Sequence, residues 1–174
     1  MENRSDRPFI IRRLTAADAE AFRALRLEAL EGHPEAFGST AAEEQGHALT
    51  WYAGRLAGNL VIGAFRPDGV TLCGTVALFV SDREKSRHRG LVWGVYVRPQ
   101  ARGLGMAGAL LRQLVAEAGD QVEELRLTVS ADNHPAVALY RRAGFTEYGL
   151  EPNALKIGDR YVDERLMRLV LSRD

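Results

Sequence analysis

Leu91-Val-Trp-Gly-Val-Tyr-Val97 runs into Arg98-Pro-Gln-Ala-Arg-Gly-Leu-Gly-Met-Ala107, and then into an amphipathic segment that ends near Ala118. The first part is apolar, rich in Val and aromatics, and stopped by Pro99, so it reads as a strand. Ala107, Leu110, Leu111, Leu114, Val115 and Ala118 recur at helical spacing and form a core-facing stripe. Between strand and helix lies a glycine-rich corner. Such a corner leaves backbone N–H groups without intrahelical partners and sets the positive end of a helix dipole behind them. That combination is a site for an anion such as a phosphate.

Two patterns fit the corner. Gly103-Leu-Gly105-Met-Ala-Gly108 satisfies G-x-G-x-x-G, with Asp132 beyond the next strand as a ribose-binding acid. A dinucleotide corner, however, has its first glycine almost directly after the strand. Here Arg98 to Arg102 intervene, and the upstream chain reads as strand hairpins. The same residues also read Gln100-x-x-Gly103-x-Gly105. A second stretch reads Asn133-His-Pro-Ala-Val-Ala-Leu139-Tyr140-Arg-Arg-Ala-Gly144-Phe145. In this order and separation, the two stretches resemble the coenzyme-binding motifs of the GNAT superfamily of acyl-CoA-dependent N-acyltransferases. The resemblance runs from about Arg12 to Leu171.

The chain has 174 residues, enough for one domain that buries roughly 70% of its unfolded surface. Lys plus Arg equals Asp plus Glu, so no basic field points to nucleic acid. No apolar run reaches the ~20 residues of a membrane span, and Met1 to Arg7 lacks a signal-peptide core and reads as a loose tail. A cytoplasmic protein is expected. The lone Cys73 excludes an internal disulfide and reads as a small core residue of a strand. The four histidines (His33, His47, His88, His134) have no metal-ligand spacing, so no metal is expected.

From the N-terminus, Phe9 to Arg12 reads as a strand, and Thr15-Ala-Ala-Asp18 as a capping box before a helix marked by Phe22, Leu25 and Ala29. The pattern predicts a helix stop near Gly32 and Pro34, a loop from Glu35 to Thr40, and a second helix from Ala41 toward Arg55. Leu60–Phe65 and Val70–Val80 read as strands around an Arg66-Pro-Asp-Gly69 turn, with Leu72, Val76, Leu78 and Val80 on one face. The charged segment Ser81–Gly90 reads as a solvated loop. Leu125, Leu127 and Val129 alternate as a strand. Asn133 caps a helix whose face is Ala136, Leu139, Tyr140 and Ala143, closed by Gly144. Phe145–Tyr148 starts a strand, and Ala154–Leu171 forms a closing hairpin. The class is α/β or α+β around a mixed sheet. The resemblance implies a single N-acetyltransferase domain over 1–174, with a mostly antiparallel sheet flanked by helices and a splayed central strand pair.

It also implies the chemistry. Acetyl-CoA would be the co-substrate and an amine, on a small molecule or a protein, the acceptor. The amides from Arg102 through Gly103, Leu104, Gly105 and Met106 to Ala107 would cradle the pyrophosphate, with Gln100 part of the motif and the Arg102 side chain adding a charge-assisted contact. Backbone groups of Val95, Tyr96 and Val97 would hold the pantetheine arm and polarise the thioester carbonyl, with Gly94 at a bulge. Asn133 and Tyr140, two helical turns apart and so on one face, would meet the pantetheine and the sulfur. Tyr140 is the general-acid candidate, although it also fits the helix's buried stripe. Arg141 and Arg142 either reach the 3′-phosphate or are solvated. No residue is assigned as the base among Glu43, Glu44, Glu151 and His134. Trp51, Tyr52 and Phe37 either line the acceptor site or belong to the core. The closing hairpin is apolar enough to pair across a homodimer. A non-catalytic acyl-CoA-binding module and a dinucleotide-dependent oxidoreductase are the alternatives.

Overall fold

Seven strands form one sheet in the order β1-β2-β3-β4-β5-β7-β6 in the computed structural model, which describes residues 8–171. The strands are β1 (Ile10–Arg13), β2 (Leu60–Phe65), β3 (Leu72–Val80), β4 (Arg89–Val97), β5 (Glu124–Ser130), β6 (Thr146–Ile157) and β7 (Arg160–Val170). Every neighbouring pair is antiparallel except β4 and β5, which are joined in parallel by the crossover helix α4 (Met106–Ala118). A hairpin can close antiparallel neighbours, but a parallel pair needs such a crossover.

The apolar alternation of the strands builds a core on each face. On one side α4 and α5 (His134–Arg142) cover Ile62, Val76, Leu78, Leu125, Leu127 and Met167, with Leu110, Leu111 and Leu114 of α4 wholly buried among them. Each such leucine contributes about 1.5–3 kcal/mol of burial. On the other side α1 (Ala19–Gly32) and α3 (Leu49–Gly58) bring Phe22, Leu25, Tyr52 and Leu56 onto Val61, Phe65, Leu72 and Ala77.

Two bulges set this register. Ala64 pairs with Gly74 while Phe65 pairs with Leu72, so Cys73 is an extra residue in β3. Leu72 therefore joins the α1 and α3 side, opposite Val76 and Leu78, and does not share their face as simple alternation predicts. Strand β3 begins at Leu72 because Asp68 holds the amides of Val70 and Thr71 in the preceding turn, at 2.8 and 2.9 Å. Further on, Thr75 pairs with Tyr96 and Ala77 with Trp93, which leaves Gly94 and Val95 of β4 opposite Val76 alone. Gly94 takes φ +61° there, and its carbonyl accepts the Thr75 hydroxyl at 3.0 Å.

The helical segments depart from the pattern in one place. The predicted second helix is two: α2 (Ala41–Gln45) and α3, broken across Gly46-His47-Ala48. Thr40 and Glu43 form a capping box on α2, and Tyr52 of α3 then donates its hydroxyl to the Glu44 carbonyl at 2.8 Å, tying the two together across the break. Asp18 accepts the Thr15 amide at 2.8 Å, so the first capping box is present, around a short turn that leads into α1. Strand β6 is one continuous strand instead of two separate pieces, with irregular register at Glu147–Gly149 and Glu151–Leu155. In α5 the buried residues are Val137 and Tyr140, while Ala136, Leu139 and Ala143 are partly covered. The helix closes with Phe145 N–H on Tyr140 O and Gly144 N–H on Arg141 O, both 3.0 Å, a Schellman ending.

The parallel pair positions the site. Only Arg89, Gly90 and Leu91 pair with Glu124, Leu125 and Arg126. Beyond them β4 and β5 diverge, so the edge of β4 from Val92 to Val97 that faces β5 has no ladder partner. Backbone polar groups seldom go unpaired, so an edge left without a ladder is a place for a ligand's hydrogen bonds.

Candidate active site

The wedge opens into a cavity of about 850 Å³. That is within the range of small-molecule sites. Its walls come from Val95, Tyr96 and Val97 of β4, Thr128 to Ser130 of β5, Asn133, Ala136, Leu139 and Tyr140 at α5, Arg102 and Ala107 at the corner, and His33 and Glu35 to Phe37 between α1 and α2. Of the predicted residues, Val95, Tyr96, Val97, Arg102, Ala107, Asn133 and Tyr140 meet on this space, while Gln100, Gly103, Leu104, Gly105 and Met106 are not among its lining.

The corner leaves a run of backbone amides free. Pro99–Ala101 forms a short turn, and Arg102 N–H donates back to Pro99 O at 3.2 Å. The first bond of α4 is Ala109 N–H to Gly105 O, 3.0 Å. Among the described residues, the amides from Gly103 to Gly108 have no acceptor between these two bonds. The predicted cradle therefore starts at Gly103, not at Arg102, whose amide is already engaged. Gly103 and Gly105 have φ +81° and +74°, and a Cβ at either would meet nothing within 4 Å. Left-handed backbone is what selects glycine here, and the space in front of both is free for a ligand. The Met106 side chain is buried in the core, and Leu104 and Gln100 are exposed.

The Arg102 side chain is not free. Its Nε donates to Val97 O at 3.0 Å, and one terminal nitrogen lies 3.1 Å from His33 Nε2. Asn133 caps α5 by accepting Ala136 N–H at 3.2 Å. Tyr140, 6% exposed, packs edge-on to Phe145 and lines the cavity, and among the described residues its hydroxyl has no hydrogen-bond partner. Burial pushes this phenol far above its ordinary range, so it stays protonated.

The base candidates fare differently. Glu43 belongs to the capping box, and Glu44 is buried in an ion pair with Arg26, at 2.7 and 3.0 Å. Neither they nor Glu151 and His134 line the cavity. Of the aromatics, Phe37 lines it, Tyr52 is core, and Trp51 stacks on His47 outside it. Cys73 is buried. Sequence reading missed His33, Glu35, Arg160 and Tyr161 on the cavity wall. It also missed Glu28, whose carboxylate accepts Tyr96 Oη at 3.1 Å and Arg98 Nε at 2.9 Å. They sit in turns or on the solvent side of elements, where no periodicity marks them. Among the described residues no group of His, Cys, Asp and Glu could hold a metal, and no helix is long and apolar enough to cross a membrane.

The profile described as the Acetyltransferase (GNAT) family matches residues 20–145. The chain belongs to this family. It is 31% identical over 160 residues to a mycothiol acetyltransferase of Pseudarthrobacter chlorophenolicus, covering 86% of this chain and 45% of that protein. The chain thus spans less than half the length of that relative. It superposes on the ribosomal-protein-alanine N-acetyltransferase of Brucella melitensis at TM-score 0.77 and 27% identity, over 93% of this chain and 99% of the other. The fold is also that of yncA from Salmonella typhimurium, solved with its cofactor acetyl-CoA, at TM-score 0.79 and 22% identity over 95% of each chain. In this GNAT acetyltransferase fold the dinucleotide reading of the glycine corner fails. Its first glycine stands well past the end of β4, and the strands before it form an antiparallel meander.

Proposed function

We propose that the protein is an N-acetyltransferase that moves the acetyl group of acetyl-CoA to a primary amine by direct attack. The observation that carries this is the run of unpaired amides at Gly103–Gly108, flanked by Arg102 and containing Ala107, which line the same cavity as Val95, Tyr96 and Val97 on the unladdered edge of β4. The amides from Gly103 hold the diphosphate, together with the dipole of α4. Asn133 and the free edge at Val95, Tyr96 and Val97 orient the pantetheine arm, and a β4 amide polarises the thioester oxygen as charge develops on it. When bound, acetyl-CoA supplies the activated acyl carbon and a thiolate leaving group. Tyr140, kept neutral by burial, donates its hydroxyl proton toward the departing sulfur.

The remaining wall, formed by His33, Glu35 to Phe37 and Arg160 to Val162, receives the acceptor, a small amine or a protein amine. The described residues act as one catalytic domain. The lone cysteine suits a reducing cytoplasm, and the outer edge of β6 is open to a second copy, which sedimentation would detect.

Released thiol measured against a panel of amines and peptides tests the reading. Turnover of any amine supports it, and saturable acetyl-CoA binding without turnover favours the non-catalytic binding module. Tyr140→Phe should lower kcat about a hundredfold, with acetyl-CoA affinity and thermal stability close to wild type, because no hydrogen bond within the protein is lost. A binding module would show no change at all in this variant.

A further inference from the structure

We propose that His33 is the base that takes the acceptor's ammonium proton, and that Arg102 holds it idle until a diphosphate occupies the corner. The proposal rests on the acetyl-transfer reading above.

His33 is the first residue beyond α1 and stands on the cavity wall, about one third exposed. The groups facing it are Arg102 from the corner, Glu35 from its own turn and the Tyr96 ring from β4, at 5.9 Å between centroids. A guanidinium can only donate. With Arg102 at 3.1 Å, His33 Nε2 must accept, so the ring is neutral and carries its proton on Nδ1, which lies 3.8 Å from Glu35 Oε1. A protonated ring would set two cations against each other. The geometry therefore presets the protonation state and tautomer that a base requires, with a carboxylate behind it to stabilise the imidazolium once formed.

The same arginine immediately precedes the free amides of Gly103 onward. A diphosphate there offers it a charged acceptor, and charge-assisted pairs are about twice as strong as neutral ones. Arg102 then leaves Nε2, whose lone pair becomes available to the cavity. The step balances as follows. The ammonium N–H bond breaks, its proton goes to His33 Nε2, and the electron pair stays on nitrogen. That pair forms the C–N bond as the C–S electrons leave on sulfur. A second proton passes from nitrogen to sulfur through the Tyr140 hydroxyl, the third remains on the amide, and His33 returns its proton to water.

Two measurements test this. Nitrogen-15 spectra of the histidine rings in the free protein should show His33 protonated on Nδ1 only, with its Nε2 signal shifting when CoA is added. In turnover at saturating acetyl-CoA, His33→Gln should lose about a hundredfold in kcat together with the acid-side fall in rate that an imidazole base imposes. Acetyl-CoA affinity by calorimetry should stay within about threefold, and free imidazole should partly restore His33→Gly. A proton on Nε2 in the free protein, or a His33→Gln variant with wild-type kcat and pH profile, overturns the assignment while leaving acetyl transfer intact. Wild-type protein that binds acetyl-CoA yet acetylates no amine overturns the transfer reading, and the base falls with it.

Discussion

Gly105→Glu should weaken acetyl-CoA binding more than a hundredfold, which is about 2.8 kcal/mol or more, while the protein still folds. Gly105 sits at φ +74°, so any side chain there costs about 1–2 kcal/mol of backbone strain. A Cβ meets no protein atom within 4 Å, so the folded chain tolerates the substitution apart from that strain. The damage falls on the ligand instead, because the new carboxylate enters the space in front of the free amides and repels a diphosphate. Gly105→Ala separates the two effects, since it carries the strain without the charge and should lose far less affinity. Calorimetric titration with acetyl-CoA reads both. Equal affinity for Gly105→Glu and wild type would move the coenzyme away from this corner.

The largest expected effect on stability is at Arg26. Its guanidinium meets Glu44 at 2.7 and 3.0 Å, and both side chains are more than nine-tenths buried. Arg26 also lies over the rings of Phe37 and Trp93, at 5.2 and 5.7 Å, and Arg55 stacks on Trp93 at 4.3 Å. Arg26→Met leaves the Glu44 carboxylate buried without its main partner, and should cost about 3–5 kcal/mol. In a chain of this length that lowers the melting temperature by roughly 10 °C. The double variant Arg26→Met/Glu44→Met should recover most of the loss, because the desolvation cost disappears along with the attraction.

The pair also predicts a pH dependence. Burial pushes the Glu44 carboxyl up, but the hydrogen bonds and charge of Arg26 outweigh it and hold the folded value below the ordinary one. The Arg12 guanidinium likewise lowers Asp18, against a smaller opposing effect of burial. A lowered folded pKa gives stability that is present above the unfolded value and lost as pH falls through the folded one. With ordinary carboxylates near pH 4, denaturant midpoints should be flat above about pH 5 and fall below about pH 4. In Arg26→Met the Glu44 contribution reverses sign, because an unpaired buried carboxylate is stabilised by protonation.

Most of the scaffold was legible in the sequence because it is written in repeats of two kinds. Period-two runs such as Leu125-Leu127-Val129 mark strands, and the 110-111-114-118 stripe marks the crossover helix. The glycine corner was legible because left-handed backbone leaves few residue choices. What escaped reading obeys no period. The extra residue at Cys73 flips Leu72 to the opposite face, and nothing in an apolar run reveals which residue is surplus. The chain leaves helical geometry at Ala48, the extended cap of α3, and an alanine gives no sign of such a break in sequence. The Arg102 amide was assigned to the cradle because a sequence cannot show that the short Pro99–Ala101 turn already engages it. His33, Glu35 and Glu28 lie far from the motifs in sequence, and the return of α1 across the sheet brings them to the site.

The parting of β4 from β5 after three residue pairs has a thermodynamic corollary. Whatever lies in that cleft and offers amides to the exposed edge stands in for an absent strand and stitches the two halves of the sheet across their narrowest seam. Such a guest becomes part of the architecture, and mass action ties the melting temperature to its concentration. A rise in melting temperature with added CoA, blunted by changes at the glycine corner, would be the signature of a molecule completed by its own co-substrate.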